Sequence, residues 1–344
     1  MKAALIKEHG DLDSIIIDDI EPPKIGPNDV LIRTKFGALN HIDIFIVKGW
    51  SGLDLSFPHI LGSDGSGIVE EIGSAVTKFK KGDKVCINPG LSCGKCIMCL
   101  SGKQNFCSEF TIMGENRWGT FSEYVKIPEI NLLKLPDSFP LNKAAAAPLT
   151  FLTAWRMLTT QANTQRGEFV FIHGAGGGVA SAAIQIAKYL GATVITTTSS
   201  DTKINIAKKI GADYVINYKE NKSYSNFVYK EITNRKGIDV IIDSVGEATF
   251  PTSIRLLRSG GRLVTCGATT GPRTELDLRH IFWKQLNIKG STMSNQREFR
   301  EVMNLIFENK FSPIIDATYH LDEIQKAEEH LRGGNQFGKI LLEI

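Results

Sequence analysis

The chain has 344 residues, 42% of them hydrophobic, and its 40 basic and 37 acidic side chains leave a formal charge of +3. That length is ample for two hydrophobic cores and unusual for one. The charges are dispersed and no stretch approaches the roughly 18 apolar residues of a membrane span, so neither nucleic acid nor membrane is an expected partner.

The opening Met1-Lys2-Ala3-Ala4-Leu5-Ile6-Lys7 is too short and too charged to read as a signal peptide, and a cytoplasmic protein is expected. Short apolar runs broken by Gly and Pro turns follow, at Val30 to Phe36, Gly67 to Ile72 and Lys84 to Ile87. They predict a mostly β, partly barrel-shaped first domain. Next come Cys93, Cys96, Cys99 and Cys107. Thiolates at this spacing can share one tetrahedral zinc, and four sulfur donors leave no coordination position for water or substrate. One structural zinc is therefore expected, in a lobe of about residues 88–110. Only Cys86 and Cys266 lie outside the cluster, which argues against a disulfide framework and for reduced thiols.

From Phe169 the pattern changes to β-rich runs alternating with helical ones. Strands are predicted at Phe169 to His173, Thr193 to Thr198, Tyr214 to Asn217, Asp239 to Asp243, Arg262 to Cys266 and Asn287 to Gly290. A helix through Val179, Ala183, Ala187 and Leu190 should end at Gly191, and another from near Asp201 should end at Gly211. This alternation is that of an α/β, doubly wound Rossmann domain. Beyond it, helices around Arg297 to Glu308 and Leu321 to Leu331 flank an extended Ile314 to Tyr319, and a strand Gly338 to Ile344 closes the chain. The tail is expected to rejoin the first domain. The domains are thus placed at 1–149 with 288–344, and at 150–287.

The first Rossmann strand runs into Gly174-Ala175-Gly176-Gly177-Gly178-Val179-Ala180 and directly into a helix. Small residues let backbone N–H groups approach a pyrophosphate, and the helix N-terminus favours its charge. Two registers are open, Gly174-x-Gly176 and Ala175-x-Gly177-x-x-Ala180; the second keeps the helix contact small and is preferred. An NAD site usually carries an acid about 20 residues on, at the end of the second strand. Here that stretch is Thr196-Thr197-Thr198-Ser199-Ser200 followed by Lys203, hydroxyls and a cation that suit a 2′-phosphate, so NADP(H) is predicted with NAD(H) as the alternative. Asp201 is the rival residue; its other role is to cap the next helix.

With these motifs in order, the chain resembles the medium-chain dehydrogenase/reductase superfamily over essentially its whole length, from Met1-Lys2-Ala3 through Asp243-Ser244-Val245-Gly246 and Lys289-Gly290 to Gly338-Lys339-Ile340. The resemblance implies a GroES-like catalytic domain beside the Rossmann domain. It also implies coenzyme contacts from Ala175, Gly176, Gly177, Gly178, Val179, Thr198, Ser199, Lys203, Tyr218 and Gly246. Thr153, Gly267 and Ala268 would meet the nicotinamide, in a cleft between the domains. The four-cysteine cluster is similar to the structural-zinc lobe of the alcohol dehydrogenase branch. That branch's catalytic zinc ligands fall, by resemblance, on Asn40, on Ser63 within Gly62-Ser63-Asp64, and on Leu149. All three are substituted, a pattern similar to the zinc-free quinone and enoyl reductases.

The resulting expectation is NADPH-dependent reduction of a quinone or an α,β-unsaturated carbonyl, with Asn40 either donating to the developing enolate or satisfying backbone at a buried turn. Two alternatives stay open: an alcohol dehydrogenase with an unusual metal built from His41, Asp43, His59 or Asp64, and a non-catalytic NADPH-binding protein of the crystallin kind. Trp50, Phe57, Trp118 and Phe282 are candidates for an apolar pocket, and Trp283 and Met293 for a subunit seam. A small-molecule substrate and a homodimer or homotetramer follow by resemblance.

Overall fold

The computed structural model describes residues 1–344. They form two compact units, Met1–Leu152 with Ser294–Ile344, and Thr153–Met293.

In the second unit, runs rich in β-branched and other apolar residues build central strands buried on both faces. Six strands lie side by side in the order Tyr214–Asn217, Thr193–Thr198, Phe169–Ile172, Ile238–Asp243, Leu257–Thr265 and Asn287–Gly290, all parallel. Numbered along the chain this is 3-2-1-4-5-6, the doubly wound order that puts a ligand crevice at the C-terminal strand ends, where the order reverses. Phe171, Ile195, Ile241 and Leu263 fill its core. The helix Gly178–Tyr189 buries Ala180, Ala182, Ala183 and Ala187, small residues that let it lie close to the sheet. Gly191 follows it at φ +83°, the left-handed conformation expected of a helix terminator.

Two boundaries differ from the sequence reading. The fifth strand begins at Leu257 rather than Arg262, because the register slips between Ile238↔Leu257 and Val240↔Arg262 and a bulge absorbs the Ser259-Gly260-Gly261 stretch that reads as a turn. The boundary drawn at 287/288 cuts a strand: Asn287–Gly290 pairs with Arg262 to Thr265 and so goes with the Rossmann sheet.

The first unit carries a seven-stranded sheet centred on Asp29–Ala38, which pairs with Asp64–Ile72, Tyr124–Pro128 and the C-terminal Lys339–Glu343. One core of this unit, built from Ile6, Leu39, Ile46, Phe121, Leu331 and Leu342 among others, packs the helices His41–Lys48 and Ile324–Gly333. Pairing of Leu341 with Ala38 brings the end of the chain beside the turn at Leu39-Asn40. No helix is long and apolar enough to cross a membrane.

Candidate active site and metal centre

The four cysteines converge. Their Sγ atoms all lie within 4.8 Å of one another, with 3.5 Å between Cys93 and Cys107, 3.6 Å between Cys96 and Cys99, and 3.8 Å between Cys93 and Cys99. A tetrahedron with Zn–S bonds of about 2.3 Å has edges of about 3.8 Å, so the set fits a zinc. Backbone N–H groups of Lys95 and Cys96 favour the charged form of Cys93 and hold its thiol down at about 6, while Glu109 N donates to Cys107 Sγ at 3.4 Å.

At the C-terminal ends of the Rossmann strands the glycine turn takes the form its sequence suggests. Gly174 has φ +68°, Ala175 N donates to Thr197 O at 2.8 Å, and Gly177 is the N-cap of the helix that Gly178 and Val179 open. Gly176 lies within the same turn. This leaves the first-turn N–H groups of that helix without intrahelical partners. A second loop comes close to the end of the fourth strand: a Cβ on Gly246 would lie 2.9 Å from Ala268 Cα, and one on Gly267 would lie 3.2 Å from Ser244 O. Asp243 builds this loop, its Oδ1 accepting from Val245 N at 2.9 Å and Gly246 N at 3.0 Å. On the second strand's exit Thr198 is buried, Ser199 half-buried, and Tyr218 N donates to Thr198 O at 3.0 Å. The helix Asp201–Lys209 has Ser200, not Asp201, as its N-cap; Asp201 Oδ1 accepts from Asn217 Nδ2 at 2.9 Å, and Lys203 is half-buried one residue on from Thr202. Thr153, buried on the helix Pro148–Arg156, opens the second unit.

Asn40 and Leu149 meet around the carboxylate of Asp64, the residue after Ser63, rather than around a metal-ligand set. Lys339 Nζ donates to Asn40 Oδ1 at 2.5 Å, Leu39 O at 2.7 Å and Asp64 Oδ2 at 3.1 Å, which uses all three of its hydrogens. Asn40 Nδ2 donates to Asp64 Oδ2 at 2.9 Å and Ala38 O at 3.2 Å, and Leu149 N donates to Asp64 Oδ1 at 2.8 Å. Asp64 is fully buried and Lys339 only 4% exposed. The expected donor role of Asn40 therefore needs correction: with its oxygen on Lys339, both amide hydrogens are spent inside the protein. Ser63 Oγ, fully buried on the adjoining loop, has no partner. His59 is occupied elsewhere, its Nε2 lying 2.8 Å from Gly114 O. Asp43 caps Asn40 N at 2.8 Å, and burial pushes it up to about 7.

Residues 26–137 match the model of the alcohol dehydrogenase GroES-like domain and residues 178–308 that of the zinc-binding dehydrogenases. A zinc-type alcohol dehydrogenase-like protein of Schizosaccharomyces pombe is 32% identical over 329 residues, covering 94% of this chain and 93% of its own. The acryloyl-coenzyme A reductase of Metallosphaera sedula is 30% identical over 343 residues, 99% of each chain. A crystal structure of an NAD-dependent alcohol dehydrogenase is 39% identical, covers 100% of both chains and superposes with a TM-score of 0.96. The chain belongs to the zinc-type alcohol dehydrogenase superfamily.

The chain is an oxidoreductase of that superfamily with a nicotinamide coenzyme, and Lys339 is a member of the buried network that sequence reasoning missed. Lys339 lies 299 positions from Asn40, in an ordinary Gly-Lys-Ile strand start, and only the pairing of the two strands brings them together. The one signal was an odd one: a lysine opening a strand and followed by Ile340, Leu341 and Leu342. Of the aromatic candidates, Trp50, Phe57, Trp118 and Phe282 are exposed, whereas Met293 is buried and cannot serve a subunit seam.

Proposed function

We propose that this oxidoreductase uses NADPH to reduce an activated acceptor, an α,β-unsaturated carbonyl or a quinone, without a catalytic zinc. The observation that carries the reading is the donor set at Asn40, Ser63 and Leu149. Leu149 contributes a side chain with no lone pair, Asn40 is bound to Lys339 and Asp64, and the cation in the network belongs to the chain itself. Reduced nicotinamide supplies the hydride. An acceptor without Lewis-acid help must already be electron-poor, and transfer to the β-carbon of an enone or enoyl thioester puts negative charge on the carbonyl oxygen. A hydrogen bond there lowers the barrier. With Asn40 committed, the unpartnered hydroxyl of Ser63 is the donor proposed for it. The similarity to an acryloyl-coenzyme A reductase supports the unsaturated thioester within this class.

NADPH over NADH rests on the Thr198-Ser199-Ser200 exit with Lys203 beyond it, and on Asp201 being tied to Asn217. Leu278, Phe282 and Trp283, on one short helix and 67%, 64% and 82% exposed, support a homo-oligomer that covers them. The alcohol dehydrogenase named above favours a second reading, alcohol oxidation at a second metal. Metal analysis with a turnover panel separates the two. About one zinc per chain with NADPH oxidation by enones, enoyl thioesters or quinones is the expected result; about two, with alcohol oxidation, would replace the reading.

A further inference from the structure

On the first unit, a groove of about 610 Å³ lies outside the Lys339–Asp64 network. It is within the roughly 300–1,000 Å³ typical of a small-molecule site and too large for a lone inorganic anion. Its walls carry three cations, Lys24, Arg117 and Lys126, and one acid, Asp29. The acid is partly spent, since Asp29 Oδ2 accepts from Gly26 N at 3.0 Å. None of the three cations is paired with a carboxylate, and Arg117 binds only Thr111 Oγ1, through Nε at 3.2 Å.

Aromatic rings stand among the charges. Trp118 has its indole N–H fixed on Pro58 O at 3.0 Å, which pins the ring while 38% of the residue stays exposed. Tyr124 and Lys126 alternate along the strand Tyr124–Pro128 and so share its outer face, while Val125 and Ile127 point into the core. Unpaired cations beside a rigid exposed indole are the chemistry that recognises a phosphorylated heteroaromatic molecule, the charges taking phosphate oxygens and the ring taking a base.

We propose that this groove binds an adenine nucleotide bearing at least two phosphates, with Lys24, Arg117 and Lys126 on the phosphates and Trp118 stacked on the base. Such a ligand has two sources: the 3′-phosphoadenosine diphosphate end of a coenzyme A thioester substrate, or a free nucleotide. The first source rests on the enoyl-thioester reading above; binding itself does not. The wall is continuous with the loops of the network, Gly119 N donating to Ile60 O at 2.9 Å and Thr120 Oγ1 to Asp64 O at 2.7 Å.

The test is calorimetric titration of the full-length protein, holding one molar equivalent of NADPH so that the coenzyme site is occupied without an excess to fill the groove, with adenosine 3′,5′-bisphosphate and with ATP. Saturable binding that weakens at least about tenfold in Lys24→Glu/Lys126→Glu, and in Trp118→Ala, with Lys310→Glu as an unaffected charge control, is the expected result. No saturable binding, or binding that the groove variants leave unchanged, would overturn it. Turnover then distinguishes the sources. A raised KM for an enoyl-coenzyme A but not for a small enone in Lys24→Glu/Lys126→Glu identifies the substrate's own nucleotide, whereas unchanged KM values for both with weakened ATP binding identify a free one. A protein that binds nucleotide in this groove yet reduces no enone would leave the groove standing and remove the reductase reading.

Discussion

Lys339, Asp64 and Asn40 form a closed set in which each polar atom answers another, and that closure gives each residue a different expected cost of removal. Taking away the Lys339 ammonium leaves the buried Asp64 carboxylate facing Asn40 and Leu149 alone. Breaking one side of a buried ion pair typically costs about 3–5 kcal/mol. Lys339→Met should lower the unfolding free energy by about that much in denaturant titrations, and adding Asp64→Asn should recover part of it. Additive losses would mean that the two do not act as a pair. Ser63 is the opposite case, a buried hydroxyl with no partner in the folded protein. Ser63→Ala should leave the denaturation midpoint unchanged and lower kcat about a hundredfold, the scale of losing one oxyanion donor. An unchanged kcat would remove Ser63 from the mechanism. The residue types at positions 40, 63 and 149 were legible in the sequence; that Asn40 is fully committed was not, because hydrogen-bond saturation depends on partners far away along the chain.

The helices His41–Lys48 and Ile324–Gly333 bring two buried carboxylates into one core, Asp43 from the first and Glu328 from the second. Neither oxygen of Glu328 has a hydrogen-bond partner. Burial raises Glu328 well above the usual carboxylate range, with Asp43 adding to the shift and Arg332 opposing it. Burial likewise raises Asp43 to about 7, against the Asn40 N–H and the Lys339 charge and with Asp64 adding to the rise. An acid whose pKa is higher folded than unfolded contributes its stability below its unfolded value and loses it as pH climbs toward the folded one. The gain in unfolding midpoint of Glu328→Gln over the unsubstituted protein should therefore be small near pH 4 and grow through pH 7. A difference that does not change with pH would show that Glu328 is not protonated on folding. Of the two helices, only the second was read from the sequence, near Leu321 to Leu331; the eight-residue His41–Lys48 was not. Their shared pair of acids was not legible either, since Asp43 and Glu328 lie far apart along the chain and only packing brings them into one core.

At the scale of the whole molecule, the zinc lobe should depend on its ion while the Rossmann sheet does not, because the four sulfur atoms staple one local segment of the first unit. Chelation, or Cys96→Ser, should raise amide exchange across residues 93–107 and leave the strands Phe169–Ile172 and Ile238–Asp243 protected, as hydrogen-exchange mass spectrometry reads it. Loss of protection in both units together would show a single cooperative structure.

Local chemistry written along the chain was enough to determine the metal cluster, the glycine turn and the alternation of strand and helix, since each depends on residues within a few turns of one another. The ladder order 3-2-1-4-5-6 and its bulge at Ser259-Gly260-Gly261, the attachment of Asn287–Gly290 to that sheet, and the meeting of Lys339 with Asn40 were decided by tertiary structure. Those features rest on backbone pairing between distant segments, and a one-dimensional pattern carries the propensity of each strand but not the identity of its neighbour.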